Sequence, residues 1–486
     1  MLKTRFISRL ITIFSITIGC YQPLLAAKVE LESSNWGKVE GKACISCHQK
    51  ASPGINHQWK NSAHSQANVN CLDCHQANED DADAFMHEGE IIATIVSPLD
   101  CGRCHETEFK QQSGSKHSRA RESMKNLMPN VGQYFGDHAD PEMFCSNCHG
   151  SEVVVKGDGT LDSAGWPNNG IGRVNPDGSI GSCSSCHGRH QFSKAQARQP
   201  SACTHCHNGL DSPDKEIYAN SKHGQLYTGL QSQMNLDSDQ WVVGQDYFAA
   251  PTCVTCHMGA TSGMQSNHDV GIRDSWTLNR PLSYKQSLVI LESGEKIELN
   301  AEKHDPRKGE TINMSDGRSG LVKAVASPEK RRKAMTNVCL ECHSKNFASS
   351  ALKRFDSLVE LYNDKYGYPA QQIMYELYQD KVLTSNPFDE EIEFTYWELW
   401  HKQGTYFRHA AAMGDHNGVW GKGANELATQ FYGKFITQVN KLVGKKRGEE
   451  LLAEYLFESD YHQWLKNKET ITPELGVEKG KSDALF

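Results

Sequence analysis

Apolar residues are scarce for a chain of this length: only 38% of its 486 residues are hydrophobic, and the mean hydropathy is −0.60. A chain this polar cannot fill a large core with aliphatic side chains alone, so something else must supply apolar volume. Long apolar runs are missing too. Beyond the N-terminus no stretch is long and apolar enough to span a bilayer. Positive charge is not in excess, with Lys+Arg at 51 against Asp+Glu at 59 and a net charge of −8. That balance, with no basic stripe, argues against nucleic acid as a partner. The short run KRRK (Lys330–Lys333) reads as a solvated helix face.

At the N-terminus, Lys3, Arg5 and Arg9 precede an apolar run from Leu10 to about Cys20, and Leu25-Ala26-Ala27 offers a cleavage site. The run is too short to cross a membrane, so residues 1–27 are predicted to be a secretory signal peptide. TIGC, ending at Cys20, is a poor lipoprotein box, and a lipid anchor there is disfavoured. The expected product is soluble and periplasmic.

Disulfides, the usual use of 17 cysteines in an exported protein, have no cysteine left to form them. Sixteen fall into eight copies of Cys-x-x-Cys-His, and the seventeenth is Cys20. The first four copies are Cys44, Cys47 and His48; Cys71, Cys74 and His75; Cys101, Cys104 and His105; and Cys145, Cys148 and His149. The other four are Cys183, Cys186 and His187; Cys203, Cys206 and His207; Cys253, Cys256 and His257; and Cys339, Cys342 and His343. Two thiols at this spacing reach the two vinyl groups of one haem, and the adjacent histidine ligates its iron. Structural zinc would pair the cysteines and would not need a histidine after every pair. Eight covalently attached haems c are therefore expected, and they supply the missing apolar core.

Fourteen of the 22 histidines lie outside the motifs. An electron carrier would use eight as sixth ligands; an enzyme would use about seven and leave one iron open. His64, His117 and His223 share a Ser-x-His form 12 to 16 residues after a motif histidine, and His268 follows His257 by 11. With His87 and His205 they are candidate distal ligands. His57, His138, His304 and His462 are weaker candidates.

Residues 28–343 carry all eight motifs and are rich in Gly, Asn, Ser and Asp, as loops wrapping cofactors should be. Alternation around 283–322 predicts a small β excursion. From about Arg331 the apolar period becomes helical, so 344–486 is expected to form a helical bundle. The fold class is a mainly α multihaem cytochrome c, a haem-packed, loop-rich domain followed by that bundle. In YWELWHKQGTYFRHAAAMGDHNGVWGKG (396–423), His401, His409 and His416 would share one face if a single helix persisted. His409, then His401, are candidate ligands reaching back to a haem.

The stretches GWPNNGIGRVNPDGSIGSCSSCHGRHQFSKAQARQPSACTHCHNG, EIYANSKHG, APTCVTCHM, NHDVGIRDSW and ELWHKQGTYFRHAAAMG resemble the octahaem hydroxylamine oxidoreductase family. The resemblance covers most of 44–423. It implies a catalytic haem on the fourth motif, with the fifth as runner-up, and a homotrimer. In the oxidising members a tail tyrosine cross-links to the catalytic haem of a neighbouring subunit. In DHNGVWG (Asp415–Gly421) His416 stands at that place, and no tyrosine occurs between Tyr406 and Tyr432. The resemblance therefore points to reduction of nitrite or hydroxylamine to ammonium, fed by a periplasmic or membrane-bound donor such as a quinol-oxidising cytochrome. His149, His190, His223 and His416 are the candidate catalytic residues, with His190 and His223 equally eligible as axial ligands. Arg189 or Arg173 would attract an anionic substrate or pair with a propionate. The alternatives are hydroxylamine oxidation and a non-catalytic electron carrier.

Overall fold

The computed structural model describes residues 42–122, 142–304, 310–313 and 319–466. The predicted signal peptide, Cys20 and His138 lie outside these.

Up to about residue 285 the chain is loops and short helices. A two-stranded hairpin, β1 (Ala84–His87) with β2 (Glu90–Ala93), projects from this part. The sheet follows, with β3 (Gln286–Leu291), β4 (Lys296–Asn300), β5 (Thr311–Asn313) and β6 (Ser319–Ala326) in the antiparallel order β4-β3-β6-β5. Its apolar face is Val289, Leu291 and Val322. The sheet thus runs slightly past the expected range.

Ser327 caps α1 (Pro328–Leu340), accepting from the Lys330 amide, and α1 delivers the last motif. The KRRK run is a solvated face only at Lys330 and Lys333, both exposed. Arg331 is 2% exposed, donating to Glu298 and to the Gly271 and Gln286 carbonyls, while Arg332 pairs with Asp356. Next comes α2 (Lys345–Tyr362), which passes through one π turn at Asn363–Gly367 into α3 (Tyr368–Gln379). α4 (Glu391–Glu398) likewise passes through a π turn, Leu399–Gln403, into α5 (Gly404–Met413).

Gly414, at φ +71°, ends α5, and His416 begins a new short helix capped by Asp415. The bundle closes with α6 (Ile436–Leu452). The π turn at His401 and the break at Gly414 overturn the expectation of one imidazole-bearing face. His401 and His409 are buried, whereas His416 is exposed.

The apolar core belongs to this bundle: Tyr362, Ile373, Leu377, Phe407, Leu427, Phe431, Phe435, Leu451 and Leu456 are all nearly inaccessible. Nothing comparable fills the motif-bearing half, whose largest cluster is Met234, Trp241, Val243, Tyr247 and Ala250. A cavity of ≈ 2560 Å³ lies there instead, walled in part by α2 and by the tail around His409–Val419. Sites for one small molecule hold roughly 300–1,000 Å³, so this is room for several large groups. No helix among the described residues is long and apolar enough to cross a membrane.

Candidate functional site

Several motifs form a single helical turn of their own. Asn70 and Asp73 make a reciprocal cap at Cys71–His75, and Thr252 and Thr255 do the same at Cys253–His257. A helical turn places thiols at i and i+3 on one face, with the histidine beside them. None of the sixteen motif cysteines is in a disulfide, and every motif lines the cavity except the first.

The histidines outside the motifs complete the arrangement. His48 faces His87 with ring centroids 6.1 Å apart, His75 faces His190 at 6.5 Å, and His105 faces His64 at 6.1 Å. His187 faces His268 at 6.5 Å, His207 faces His117 at 6.2 Å, and His343 faces His223 at 6.1 Å. Imidazoles ligating one metal from opposite sides, each with a metal–nitrogen bond of about 2.0 Å, place their centroids about 6 Å apart. Burial, with the facing ring, lowers the pKa of His64, His187 and His223, and takes His187 to about 4. Burial also takes His117 to about 4, helped by His207. Rings held near each other in their neutral form suit iron ligation, so the residues fit haem.

His190 reaches its partner through a turn in which it and Phe192 have φ of +65° and +46°. That left-handed geometry is uncommon for residues with a Cβ. Both His190 and His223, candidates for proton transfer or ligation, are thus placed as ring partners of motif histidines. His187 already faces a ring, which corrects the fifth motif as runner-up for an open iron. Among the described residues no ring faces His149 or His257. The Nδ1 of His149 lies 3.4 Å from the Ala120 carbonyl, leaving Nε2 for a metal. Gly150, at φ +88°, turns the chain sharply after it; a Cβ there would stand 2.4 Å from the Arg173 amide nitrogen.

Two expected ligands are placed otherwise. His205 is exposed and faces no other ring among the described residues, with Nδ1 3.4 Å from the Ser201 carbonyl. His409 has both nitrogens engaged, Nδ1 at 2.6 Å from Asp214 Oδ1 and Nε2 at 2.6 Å from Asn279 Oδ1. Asp214 also accepts from His207 Nδ1 at 2.8 Å. Burial pushes the Asp214 carboxyl up, but His409 and His207 together hold it well below its usual value. Asp214 and Asn279 were not singled out from sequence, because nothing local marks them.

Arg173 is buried and spent on Asn175, the Asn168 carbonyl and the Val96 carbonyl, so it is no anion trap. Arg189 bonds Asn169 and lies 5.1 Å from the Trp166 ring. His401 lies 3.9 Å from Asp211, whose charge helps raise the Cys145 thiol pKa after burial does most. Asp211 too went unnoticed in the sequence. His416 lies on the cavity lining.

Thiol contacts order the attachment sites. Cys44 meets Cys71, Cys101 meets Cys183, Cys203 meets Cys253 and Cys206 meets Cys148. Cys74 is close enough to Cys101, Cys186 to Cys203, and Cys256 to Cys339 for electrostatic influence. The motifs therefore run 1-2-3-5-6-7-8, with the fourth branching from the sixth.

Fold and site together define a mainly α multihaem c-type cytochrome with covalently bound haem. Residues 177–284 and 322–389 match the family model described as seven times multi-haem cytochrome CxxCH. The chain is 27% identical over 345 residues to a probable nitrite reductase-hydroxylamine oxidoreductase fusion protein of Kuenenia stuttgartiensis, covering 66% of this chain. It spans only 36% of that curated relative's length. A solved hypothetical multiheme protein superposes with a TM-score of 0.68 at 25% identity, over 86% of this chain and 96% of the other. The fold is also similar to a reducing HAO-like protein complex of Kuenenia stuttgartiensis, with a TM-score of 0.57 at 20% identity over 85% and 87% of the two chains.

Proposed function

We propose that the chain is a periplasmic octahaem reductase that converts nitrite, hydroxylamine or both to ammonium at the haem of the fourth motif. The observation that carries this reading is the contrast between six motif histidines that each face a second imidazole and His149, which faces none among the described residues. His257 shares that feature; the fourth motif is preferred because Asp211, close to His401, acts electrostatically on Cys145. His416, standing where the oxidising relatives carry a tyrosine, favours reduction over oxidation.

Attached haem c supplies irons that pass single electrons and, where one axial position is free, a site for a small nitrogen ligand. Nitrite reduction to ammonium consumes six electrons and eight protons, so this chain must deliver protons over that position. His401 is suited to it: burial keeps its pKa low, and Asp211 at 3.9 Å stabilises the protonated form. His149, with Nδ1 turned to the Ala120 carbonyl, would hold that haem through Nε2. Delivery from a periplasmic or membrane-bound donor, export after residue 27 and assembly as a homotrimer belong to the same proposal.

Absorption and EPR spectra of the purified holoprotein test the reading, followed by nitrite and hydroxylamine assays with reduced viologen. One high-spin haem and viologen-dependent ammonium production are expected. Wholly low-spin haem would leave a non-catalytic electron carrier. A band of the cross-linked type would return hydroxylamine oxidation.

A further inference from the structure

We propose that Asp214 is a positioning residue that sets the reduction potential of the haem on the sixth motif, the branch point beside the fourth. At three other motif histidines Nδ1 rests on a backbone carbonyl. His75 meets Ala93 at 2.9 Å, His149 meets Ala120 at 3.4 Å, and His257 meets Val270 at 3.2 Å, with the Asp274 carboxylate further off at 3.5 Å. His207 differs. Its Nδ1 lies 2.8 Å from the Asp214 carboxylate and 2.7 Å from the Ser212 hydroxyl, which itself donates to the same carboxylate at 2.8 Å.

A ligating imidazole that donates to a carboxylate becomes more basic, and a more basic ligand favours the oxidised iron. The sixth haem is therefore held at lower potential than a carbonyl partner would set. Asp214 cannot drift away, because its other oxygen takes His409 Nδ1 at 2.6 Å and His409 is pinned on its far side by Asn279 at 2.6 Å. His409 belongs to α5, so the C-terminal bundle holds the carboxylate in register. The site matters because the sixth motif adjoins the fourth, fifth and seventh through Cys206 with Cys148, Cys186 with Cys203, and Cys203 with Cys253. A lowered potential at that junction would bias electrons away from the sixth haem towards its neighbours, the fourth among them.

The inference rests on haem attachment at Cys203 and Cys206, not on the substrate or the direction of turnover. Its test is a redox titration of full-length holoprotein, wild type against Asp214→Asn, followed by visible and EPR spectra, with peptide masses confirming attachment. One low-spin potential should move positive and the rest stay. A tenfold loss of ferric preference, the low end for lost outer-sphere support, corresponds to about 59 mV for one electron. Asp214→Glu should return the potential towards wild type.

Should Asp214→Asn fail to load haem, Ser212→Ala carries the test. Removing the competing hydroxyl leaves Oδ2 of the carboxylate to His207 alone, so the same potential should move negative. Unchanged potentials in a fully loaded Asp214→Asn or Ser212→Ala protein would overturn the proposal. A Cys203–Cys206 peptide without haem mass would overturn the attachment beneath it, a separate result from failure of the nitrite assay.

Discussion

His462 is the place to test the bundle by pH. It is wholly inaccessible, packed 6.0 Å from the Phe431 ring and 5.9 Å from the Tyr432 ring, and neither nitrogen has a hydrogen-bond partner among the described residues. Burial, with the nearby charge of Lys365, pushes its pKa from 6.5 down to about 4. Between those values the unfolded chain binds a proton that the native state refuses. The stabilisation is thus fully present above pH 6.5 and is lost as pH falls towards 4. At 1.36 kcal/mol per unit the full loss is about 3 kcal/mol, most of it incurred before the lower limit is reached. His462→Phe keeps the ring volume and removes the titration. Helical circular dichroism against denaturant, near neutral pH and near the low end of the window, measures the difference between the two proteins. The variant should gain about 2–3 kcal/mol on the wild type as pH drops. Parallel pH profiles would refute the reasoning, because carboxylates common to both proteins cancel in the comparison.

Further outcomes follow from single contacts. Arg408 is 0% exposed, donates to the carbonyls of Gly404, Arg280 and Trp400 and to Ser283 Oγ, and lies 4.0 Å from the Tyr362 ring centroid. Arg408→Met should lower stability by about 3–5 kcal/mol in the same melts, since buried carbonyls lose their donors. A Cβ on Gly404 would stand 2.5 Å from Tyr362 Cε2 and 2.6 Å from the Leu399 carbonyl, so Gly404→Ala should cost about 1–3 kcal/mol. His190→Ala removes one of two facing rings at the second motif, so one haem should pass from low to high spin by EPR with haem mass unchanged. Retention of an all-low-spin second site would show that His190 is not its sixth ligand.

Local chemistry made much of this molecule readable from its sequence. The haem attachment sites need only five consecutive residues each, and His64, His117, His223 and His268 sit on short helices or turns near enough to a motif for spacing to suggest them. The helical bundle was visible because its apolar period repeats over many turns. What escaped depended on distance or on backbone irregularity. His409 has the spacing of a ligand, yet its partners Asp214 and Asn279 are 195 and 130 residues away in the chain. His190 is aimed by two left-handed residues, a geometry that side-chain types do not announce. The common face of His401, His409 and His416 required an unbroken 3.6-residue period, and one π turn and one left-handed glycine were enough to remove it.

The same irregularities explain how a cysteine-free tail meets the motif-bearing half. The π turn places His401 inward beside Asp211, and the following turns of α5 place Arg408 against Arg280 and Ser283 and His409 against Asp214 and Asn279. Past Gly414 the chain changes direction, and Lys422 pairs with Glu216. These contacts converge on two segments, 211–216 and 279–283. The first follows the sixth motif directly. A straight helix could present three imidazoles along one line, but it could not grip a carboxylate, a carbonyl and an amide lying at different depths. His409 thus acts on the motif-bearing half indirectly, by holding the carboxylate that touches His207. A change in the bundle should therefore register first in the sixth haem's potential rather than in the number of haems attached.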